Sequence, residues 1–461
     1  MFYRLQLIVS AHLFFFLLVT PISADSQISP DGTRLSGRDL TPYGAEYAKS
    51  ESGLVPRWNG ARDRQYYIGS ISRKDFSIEE TVFGDSIILT IDHSNFSDQK
   101  KNLTDAHVAL LSKHQGYRLN VYSPRRICTY PAEISSATRK NADSGKLVDG
   151  GNRVEGANIG VPFPVPSSGL EIIWNHNLRY RGQRYRRNVV SLVSNGAGGH
   201  SKSRITEEVE FLYSKGEGSI DYKPSPESDF YQKYKHRLFV GGGTDHILVW
   251  ESFGKNRRAW RYKNQQRRVK RAPEYRYDLD ANAGEGLETV DNFDLFNGAP
   301  DLYDWVVVGK FEKYIPYNTT KLVSTRLTYD DIIRDNFIDP QFLRYEPHRV
   351  WQVEARLKRG LERSHIYYRR VKYIDEDTWT VVVSELYDMR GELWRVQEGY
   401  IAYSPELSAC ISHAQTTYDL KSGRYAVRGL SNEEVQNDVI FEGYQRYDFG
   451  PAAIGRRWVI R

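Results

Sequence analysis

The stretch RVWQVEARLK, residues 349–358, decides the fold class of this chain. From Trp351 onward, its apolar and polar residues alternate without a break. One side of the alternation is formed by Trp351, Val353, Ala355 and Leu357, and the other by Gln352, Glu354, Arg356 and Lys358. A period of two residues is that of a β-strand, whose successive side chains point to opposite faces of a sheet. The stretch therefore predicts a strand with one covered face and one face in water.

The same kind of pattern continues on both sides of this stretch. The strand-like segments are YDWVVVGKFEKYIPY (303–317), HIYYRRVKYI (365–374), WTVVVSELYD (379–388), LWRVQEGYIAY (393–403) and TTYDLKSGRYAVRG (416–429), with HILVWESF, RRAWRYK and RRVKRA earlier in the chain. Short connections join them, which is typical of an antiparallel meander. We predict an α+β, β-rich fold with a large twisted antiparallel sheet that forms an incomplete barrel. Helices cover its apolar, aromatic face, and its charged face lies in water.

The first residues, MFYRLQLIVSAHLFFFLLVTPISAD, predict export. Arg4 precedes an apolar run, and Ile22-Ser23-Ala24 is a small-residue cleavage site, so residues 1–24 have the order of a signal peptide. An uncleaved anchor is the alternative, although the run is shorter than the ~20 residues that span a bilayer. The formal net charge of +6 is mild for 461 residues. Charge and export together argue against a nucleic-acid partner.

Two regions are predicted beyond the signal peptide. Residues 25–150 form an N-terminal arm and a helical segment, and residues 151–461 form an antiparallel half-barrel with a capping helix over 169–181. This helix follows from GVPFPVPSSGLEIIWNHNLRYRG, residues 160–182. Its alternating prolines stiffen the lead-in, and Ser168 with Glu171 matches a capping box.

The capping helix has one apolar face. That face carries Leu170, Ile173, Trp174 and Asn177. We interpret the helix as a lid or plug over the sheet, with Trp174 toward the covered side and His176 as a rim residue at the edge of the face. A direct ligand contact by this motif is the alternative.

The chain carries no GxSxG, HExxH or P-loop signature and no paired metal-ligand cysteines. We therefore expect no catalytic residue, no metal site and no cofactor. The acidic run IDEDTW, residues 374–379, is interpreted as a turn between strands. Cys128 and Cys410 could pair in an oxidising compartment, but the sequence cannot show whether they are close in space.

Several of these stretches together resemble one family. They are DLTPYGAE (39–46), the segment 160–182, AWRYKNQQRRVKRAP, DNFDLFNGAPDLYDWVVVGK (291–310), RYEPHRVWQVEA (344–355) and YIDEDTWTVVVSELYDMRGELWRV (373–396). They are similar to an uncharacterised family of exported Gram-negative proteins that is labelled outer-membrane lipoprotein-sorting-like. That family resembles the LolA/LolB carriers, which are incomplete antiparallel barrels closed by helices around an apolar cavity.

The resemblance implies a periplasmic protein, or one peripheral to the outer membrane, that binds a lipid, a lipoprotein acyl chain or another hydrophobic molecule without catalysis. It also implies partnership with an exporter of the resistance-nodulation-division type and with outer-membrane components. The candidate cavity-lining residues are Trp174, Trp250, Trp260, Tyr262, Trp305, Trp351, Trp379 and Trp394. A periplasmic hydrolase or transferase acting on envelope lipids or glycans, and a non-catalytic exporter scaffold, are the alternatives.

Overall fold

The computed structural model describes residues 35, 39–62, 85–215, 230–240, 243–254, 256–281, 283–434 and 449–454. The predicted signal peptide, residues 1–24, lies outside the described residues. Within the described part, no helix is long and apolar enough to cross a membrane.

Strands dominate the described part of the chain. They are β1 (Leu89–Ile91), β2 (Leu119–Val121), β3 (Lys146–Val148), β4 (Arg153–Glu155), β5 (Arg184–Ser194), β6 (His200–Phe211), β7 (Gln232–Val240), β8 (Gly243–Glu251), β9 (Arg258–Lys263), β10 (Arg268–Arg271), β11 (Tyr303–Pro316), β12 (Tyr345–Leu357), β13 (Arg369–Asp375), β14 (Val381–Tyr387), β15 (Leu393–Ser404), β16 (Ala409–Asp419) and β17 (Tyr425–Leu430). The α-helices are α1 (Asp105–Lys113), α2 (Ala132–Ser144), α3 (Gly169–Leu178) and α4 (Tyr329–Ile332).

One large sheet organises the molecule. Its strand order is β1-β2-β12-β13-β14-β15-β16-β17-β5-β6-β7-β8-β9-β10, and β11 also pairs with β12. All of these pairs are antiparallel except the single contact of Tyr345 on β12 with Val121 on β2. Two meanders, β5 to β10 and β12 to β17, are joined edge to edge where β17 pairs with β5. Because the order runs from one end strand to another in the described residues, the predicted large open antiparallel sheet is confirmed.

The sheet has an aromatic face and a polar face. The aromatic face carries residues such as Tyr373, Val396 and Tyr400, which form the main core together with Leu110 and Leu111 of α1. The polar face carries Arg370, Lys372, Ser384 and Arg395 on neighbouring strands; we call it the polar face throughout. The aromatic face is therefore covered by a helix, as predicted.

The prediction that the charged face lies in water is wrong for β13, β14 and β17. In β12 the pattern agrees with it, since Val353, Ala355 and Leu357 are buried and Arg356 is exposed. Strands β13, β14 and β17 are buried along almost their whole length, including Arg370 and Lys372, each 0% exposed. Residues 283–302, the covering segment, run across the polar face in short 3-10 turns. Lys372 Nζ donates to the Leu295 carbonyl at 2.7 Å, and Arg370 Nη2 donates to Asp291 Oδ2 at 2.7 Å. The charges are tolerated because the covering segment supplies their hydrogen-bond partners.

Helix α3 begins at Gly169, as the sequence predicts, with the Ser168 hydroxyl accepting from the Glu171 N–H. The Glu171 carboxylate returns to the N–H of Ser167 and not to that of Ser168, so the predicted capping box is shifted by one residue. The helix ends at Leu178 and not at residue 181. Gly169 allows it to approach β11 closely, because a Cβ there would lie 2.9 Å from the Trp305 carbonyl carbon.

The N-terminal region is tied to the sheet at several points. Strands β1 and β2, within residues 25–150, belong to the large sheet. Cys128, after β2, forms a disulfide with Cys410 on β16, with 5.5 Å between their Cα atoms and a sequence separation of 282. The pairing that the sequence left open is therefore made, and it joins the first part of the chain to the last meander.

Removal of this disulfide should destabilise the protein. A Cys128→Ser/Cys410→Ser double variant should lose about 2–4 kcal/mol in the free energy of unfolding, because the unfolded chain is no longer constrained by a long closed loop. Guanidinium unfolding of the two proteins measures the difference. As a control, a reducing agent should move the wild-type midpoint to that of the variant and leave the variant unchanged. Equal midpoints of oxidised and reduced wild type would contradict the prediction.

Candidate functional site

The polar face carries a cleft beneath the covering segment. Strand register builds its centre: Arg187 on β5 lies opposite Glu207 on β6, which lies opposite His236 on β7. The same row continues to Ile247 on β8 and Arg261 on β9. Directly paired residues in neighbouring strands point to the same face, so these side chains form one row under the covering segment.

A buried ion-pair network forms the polar end of the cleft. Arg187 Nε lies 2.7 Å from Glu207 Oε2, and Arg428 Nη2 lies 2.9 Å from Glu207 Oε1. Glu207 is 0% exposed. Burial alone would raise the pKa of its carboxyl, but the charges of Arg187 and Arg428 outweigh burial and hold that pKa well below its ordinary range. The carboxylate thus stays ionised and fixes both guanidinium groups.

Three adjoining cavities of about 50, 30 and 90 Å³ lie in and beside this cleft. The first has an apolar lining formed by Ile205, Leu238, Ile247, Ala283, Val290 and Phe293. Its polar lining includes His236, Asp245, Arg261, Glu288 and Arg428. The second shares Phe293 and Arg428 with the first and adds Arg181, Tyr185 and Asp294. The third shares Tyr185 and Ile411 with the second and extends to Val189, Val323 and Leu407.

Phe293 separates the first two cavities. The Arg428 guanidinium lies 5.2 Å from the centre of its ring, and the His236 ring centre lies 5.4 Å away. The next two residues, Asp294 and Leu295, both have a positive φ, 55° and 59°. Side chains other than glycine adopt this left-handed conformation at a cost, so surrounding contacts must hold it.

Those contacts come from α3 and the residues after it. Asp294 Oδ2 accepts from both Arg179 and Arg181, the latter at 2.5 Å. His176 Nε2 donates to the Phe296 carbonyl at 2.9 Å, and Asn177 Nδ2 donates to the Gly298 carbonyl at 3.2 Å. The motif WNHNLRYR therefore holds the turn that carries Phe293.

The prediction that His176 is a rim residue is wrong, because its side chain is 0% exposed. Its Nδ1 accepts from the Val381 N–H at 3.0 Å while its Nε2 donates to the covering segment. Burial, followed by the charge of Arg179, lowers the pKa of His176 well below its ordinary value. A neutral imidazole that bridges sheet and covering segment explains why a polar residue stands inside the core. The helical wheel alone could not reveal this, because α3 is surrounded on nearly every side.

The predicted aromatic lining residues fall into separate groups. Trp305, Trp351 and Trp379 meet in the core on the polar-face side, together with Ile172 of α3. Trp250, Trp260 and Tyr262 pack on the opposite face of β8 and β9 against Phe449. Trp174 contacts Tyr231 and Phe253, and Trp394 lies under Arg395. The eight residues are not members of the linings of the three cavities described above.

The residues that do line the cleft were missed. Their signal is the charged residues of β5 to β7, segments that were not among the predicted strands. Another unpredicted pair is Lys372 with Ser384, whose Nζ and Oγ atoms are 2.8 Å apart. Both side chains are fully buried, and burial lowers the pKa of Lys372 well below its ordinary value. The Lys372 amine, bound to Ser384 and to the Leu295 carbonyl, holds the covering segment down.

Comparison with known proteins identifies a matching protein family. A family model described as a protein of unknown function, DUF1329, matches residues 90–454. An uncharacterised protein of Pseudomonas aeruginosa is 37% identical over 449 residues, which cover 96% of each chain.

Solved structures are similar only weakly. A DUF1329 family protein from Desulfovibrio piger is 14% identical, with a TM-score of 0.39 over 62% of this chain and 97% of that one. An outer-membrane lipoprotein-sorting protein domain from Vibrio parahaemolyticus is 13% identical, with a TM-score of 0.41 and the same coverage. A LolA superfamily protein from Nitrosomonas europaea has 12% identity and a TM-score of 0.33, over 57% and 91% of the two chains. At these TM-scores the similarities add nothing to the family assignment, which rests on sequence.

The cleft should make the fold sensitive to acid. Burial, followed by the charge of Arg428, lowers the pKa of His236 to about 3. In the unfolded chain this pKa is about 6.5. Below pH 6.5 the unfolded state therefore binds a proton that the folded state does not bind. The free energy of unfolding falls as a result while the pH falls toward 3. Between pH 7 and pH 5 the loss from His236 should be about 2 kcal/mol.

A His236→Gln variant should lack this loss, which denaturant unfolding at pH 7 and pH 5 would reveal as a smaller pH effect than in wild type. His200→Gln serves as the control, since the His200 side chain is 21% exposed. Equal pH effects in wild type and His236→Gln would show that His236 does not titrate in this way.

Proposed function

Because the chain belongs to the DUF1329 family, whose function is unknown, we propose a function from its own structure: it is a carrier that binds a lipid, a lipoprotein acyl chain or another hydrophobic molecule in the polar-face cleft. One observation carries the proposal. The cleft has an apolar wall on one side, a fixed pair of arginines on the other, and a phenylalanine that divides its cavities.

An apolar wall with a few placed polar groups is the usual composition of a site for small molecules. Apolar groups of the cargo would be stabilised by roughly 25 cal/mol for each Å² removed from water. Arg187 and Arg428 stand where the polar end of an amphipathic molecule would lie. Since Glu207 already orients both guanidinium groups, that end would meet a site that needs no rearrangement.

The cavities must enlarge for a lipid chain to enter. At ~10–15 Å³ for each water, cavities of about 50, 30 and 90 Å³ hold a few waters each. Rotation of the Phe293 side chain would join the first two. The covering segment would move with it, which fits a carrier that takes up and releases its cargo by opening.

The place of action belongs to the same proposal. We place the carrier in the periplasm on the basis of the predicted signal peptide. Association with the outer membrane and partnership with a resistance-nodulation-division-type exporter extend the proposal from the family resemblance. Binding and release need no catalytic residue, so the carrier is proposed as a non-enzyme.

Two adjacent residues of β7 offer a test of the cleft. Leu238 lines the first cavity, while Phe239 points to the other face and is 42% exposed. Leu238→Trp should weaken binding of a dansyl-labelled fatty acid about tenfold or more, because it overfills the apolar wall. Phe239→Trp is the matched control and should bind like wild type. Titration with direct excitation of the dansyl group measures both affinities.

Native mass spectrometry of the wild type purified from the envelope, followed by lipid extraction, gives an independent test. We expect a co-purifying hydrophobic molecule that is reduced in Leu238→Trp. Equal dansyl-lipid affinity in both variants would place the cargo elsewhere. Absence of any bound molecule together with absence of fatty-acid binding would reject the carrier.

A further inference from the structure

A second cluster of buried side chains lies away from the cleft, at the hairpin between β13 and β14. The acidic run IDEDTW turns inward there and faces His348 of β12. His348, Asp375 and Asp377 are 1%, 0% and 5% exposed. One nitrogen and two carboxylate oxygens from these residues lie within 4.8 Å of one another. His348 Nδ1 is 3.9 Å from Asp375 Oδ1 and 3.9 Å from Asp377 Oδ2.

The rest of each side chain is held in place. His348 Nε2 lies 3.2 Å from Glu346 Oε2, and the Tyr317 ring stacks on the imidazole with 3.9 Å between centres. Asp375 Oδ2 accepts from the N–H and hydroxyl of Thr378, at 3.0 and 2.7 Å.

On the opposite side, Arg126 donates to both oxygens of Asp377, at 2.8 and 2.7 Å. The three convergent atoms are therefore oriented by their neighbours, in the way that outer partners orient metal ligands.

Arg126 is the positive partner of Asp377, but within the described part of the chain it makes no hydrogen bond to His348 Nδ1 or Asp375 Oδ1. Glu346 accepts from Arg344, from Asn318 and from the N–H of Arg125, so an ionised, acceptor-only carboxylate faces His348 Nε2. His348 Nε2 therefore carries the ring proton and donates it to Glu346, and Nδ1 carries the lone pair. Asp375 Oδ1 is buried and has no hydrogen-bond partner among the described residues. At 3.9 Å, it is too far from Nδ1 for a hydrogen bond.

We propose that His348, Asp375 and Asp377 bind one divalent transition-metal cation of the Zn²⁺ class. Converging lone pairs from one imidazole and two carboxylates repel each other in a dry core, and a cation removes that repulsion. Imidazole nitrogen with carboxylate oxygen is a common ligand set for Zn²⁺, with bonds of about 2.0–2.2 Å. Ca²⁺ takes oxygen ligands, and Mg²⁺ keeps several waters, so both suit this set less well.

The cation would fasten the N-terminal arm. Arg126 also donates to the carbonyls of Pro56 and Glu46, and Trp379, at the end of the acidic run, donates to the Tyr43 carbonyl at 2.9 Å. Fixing Asp375 and Asp377 therefore fixes the groups against which residues 43–56 lie. The site is structural, and it is independent of the proposed carrier function.

The first experiment needs no variant. Wild-type protein, produced without a metal-affinity tag, is analysed for bound metals by mass spectrometry, then stripped with a chelator and titrated with Co²⁺. We expect one cation per chain, a visible Co²⁺ absorption band from nitrogen and oxygen ligation, and loss of that band when Zn²⁺ is added. Wild type that retains no ion and gives no Co²⁺ band overturns the proposal.

Variants then locate the site. Zn²⁺ should raise the Tm of stripped wild type, because a ligand of the folded state stabilises it, and should not raise the Tm of Asp375→Asn or His348→Gln. His365→Gln is the matched control: His365 is also buried beside a carboxylate, Asp291, but Arg370 already donates to its Nε2 at 2.8 Å. This control should keep the full Zn²⁺ response.

The competing explanation is a proton shared by Asp375 and His348. It predicts no Zn²⁺ response in wild type and an Asp375→Asn variant as stable as wild type. The site is rejected if Zn²⁺ still raises the Tm of Asp375→Asn and His348→Gln. It is also rejected if wild type shows no Zn²⁺ response and Asp375→Asn is as stable as wild type.

Discussion

Burial of a charged sheet face is the constraint on which the rest of this structure depends. Charged groups that leave water need hydrogen-bond partners, because an unpaired buried charge is strongly destabilising. Lys372 and Arg395 receive theirs as the backbone carbonyls of Leu295 and Leu287. A regular helix would use those carbonyls within itself, so the covering segment can serve the sheet only by remaining irregular. Its 3-10 turns and left-handed residues follow from that requirement.

Helix α3 connects this constraint to the cleft. Each polar residue of its motif binds the backbone of another element: Asn175 closes on both backbone groups of Phe163, and His176 joins β14 to the covering segment. The two arginines that follow hold Asp294 next to Phe293. The proline-rich lead-in, the helix and the turn that divides the cavities are thus one hydrogen-bonded unit. A substitution in any of these three segments would therefore affect the position of Phe293 in the cleft.

The two polar clusters of the molecule differ in what they can do. In the cleft, Arg187, Glu207 and Arg428 adjoin cavities with apolar walls, so a molecule can lie beside them. Around His348, the stacked Tyr317 ring and the Arg126 and Glu346 side chains hold the ligand atoms toward one point. The first arrangement suits an exchangeable cargo, whereas the second suits a small ion that stays. Both arise where β-strand register sets charged residues of neighbouring strands side by side.

The sequence by itself determined the strands of the second half of the chain. Alternation over 349–358 and the short Gly-containing turns were enough to predict the meander from β11 to β17, and Ser168 was enough to predict the start of α3, because these patterns depend on neighbours a few residues apart. Only the tertiary structure decided which face would be wet, that β17 pairs with β5, and that Cys128 meets Cys410. It alone also placed Phe293 between Arg428 and His236. Alternation shows that two faces differ, but not which distant segment covers the charged one, and the cleft exists only where residues 283–302 return across it.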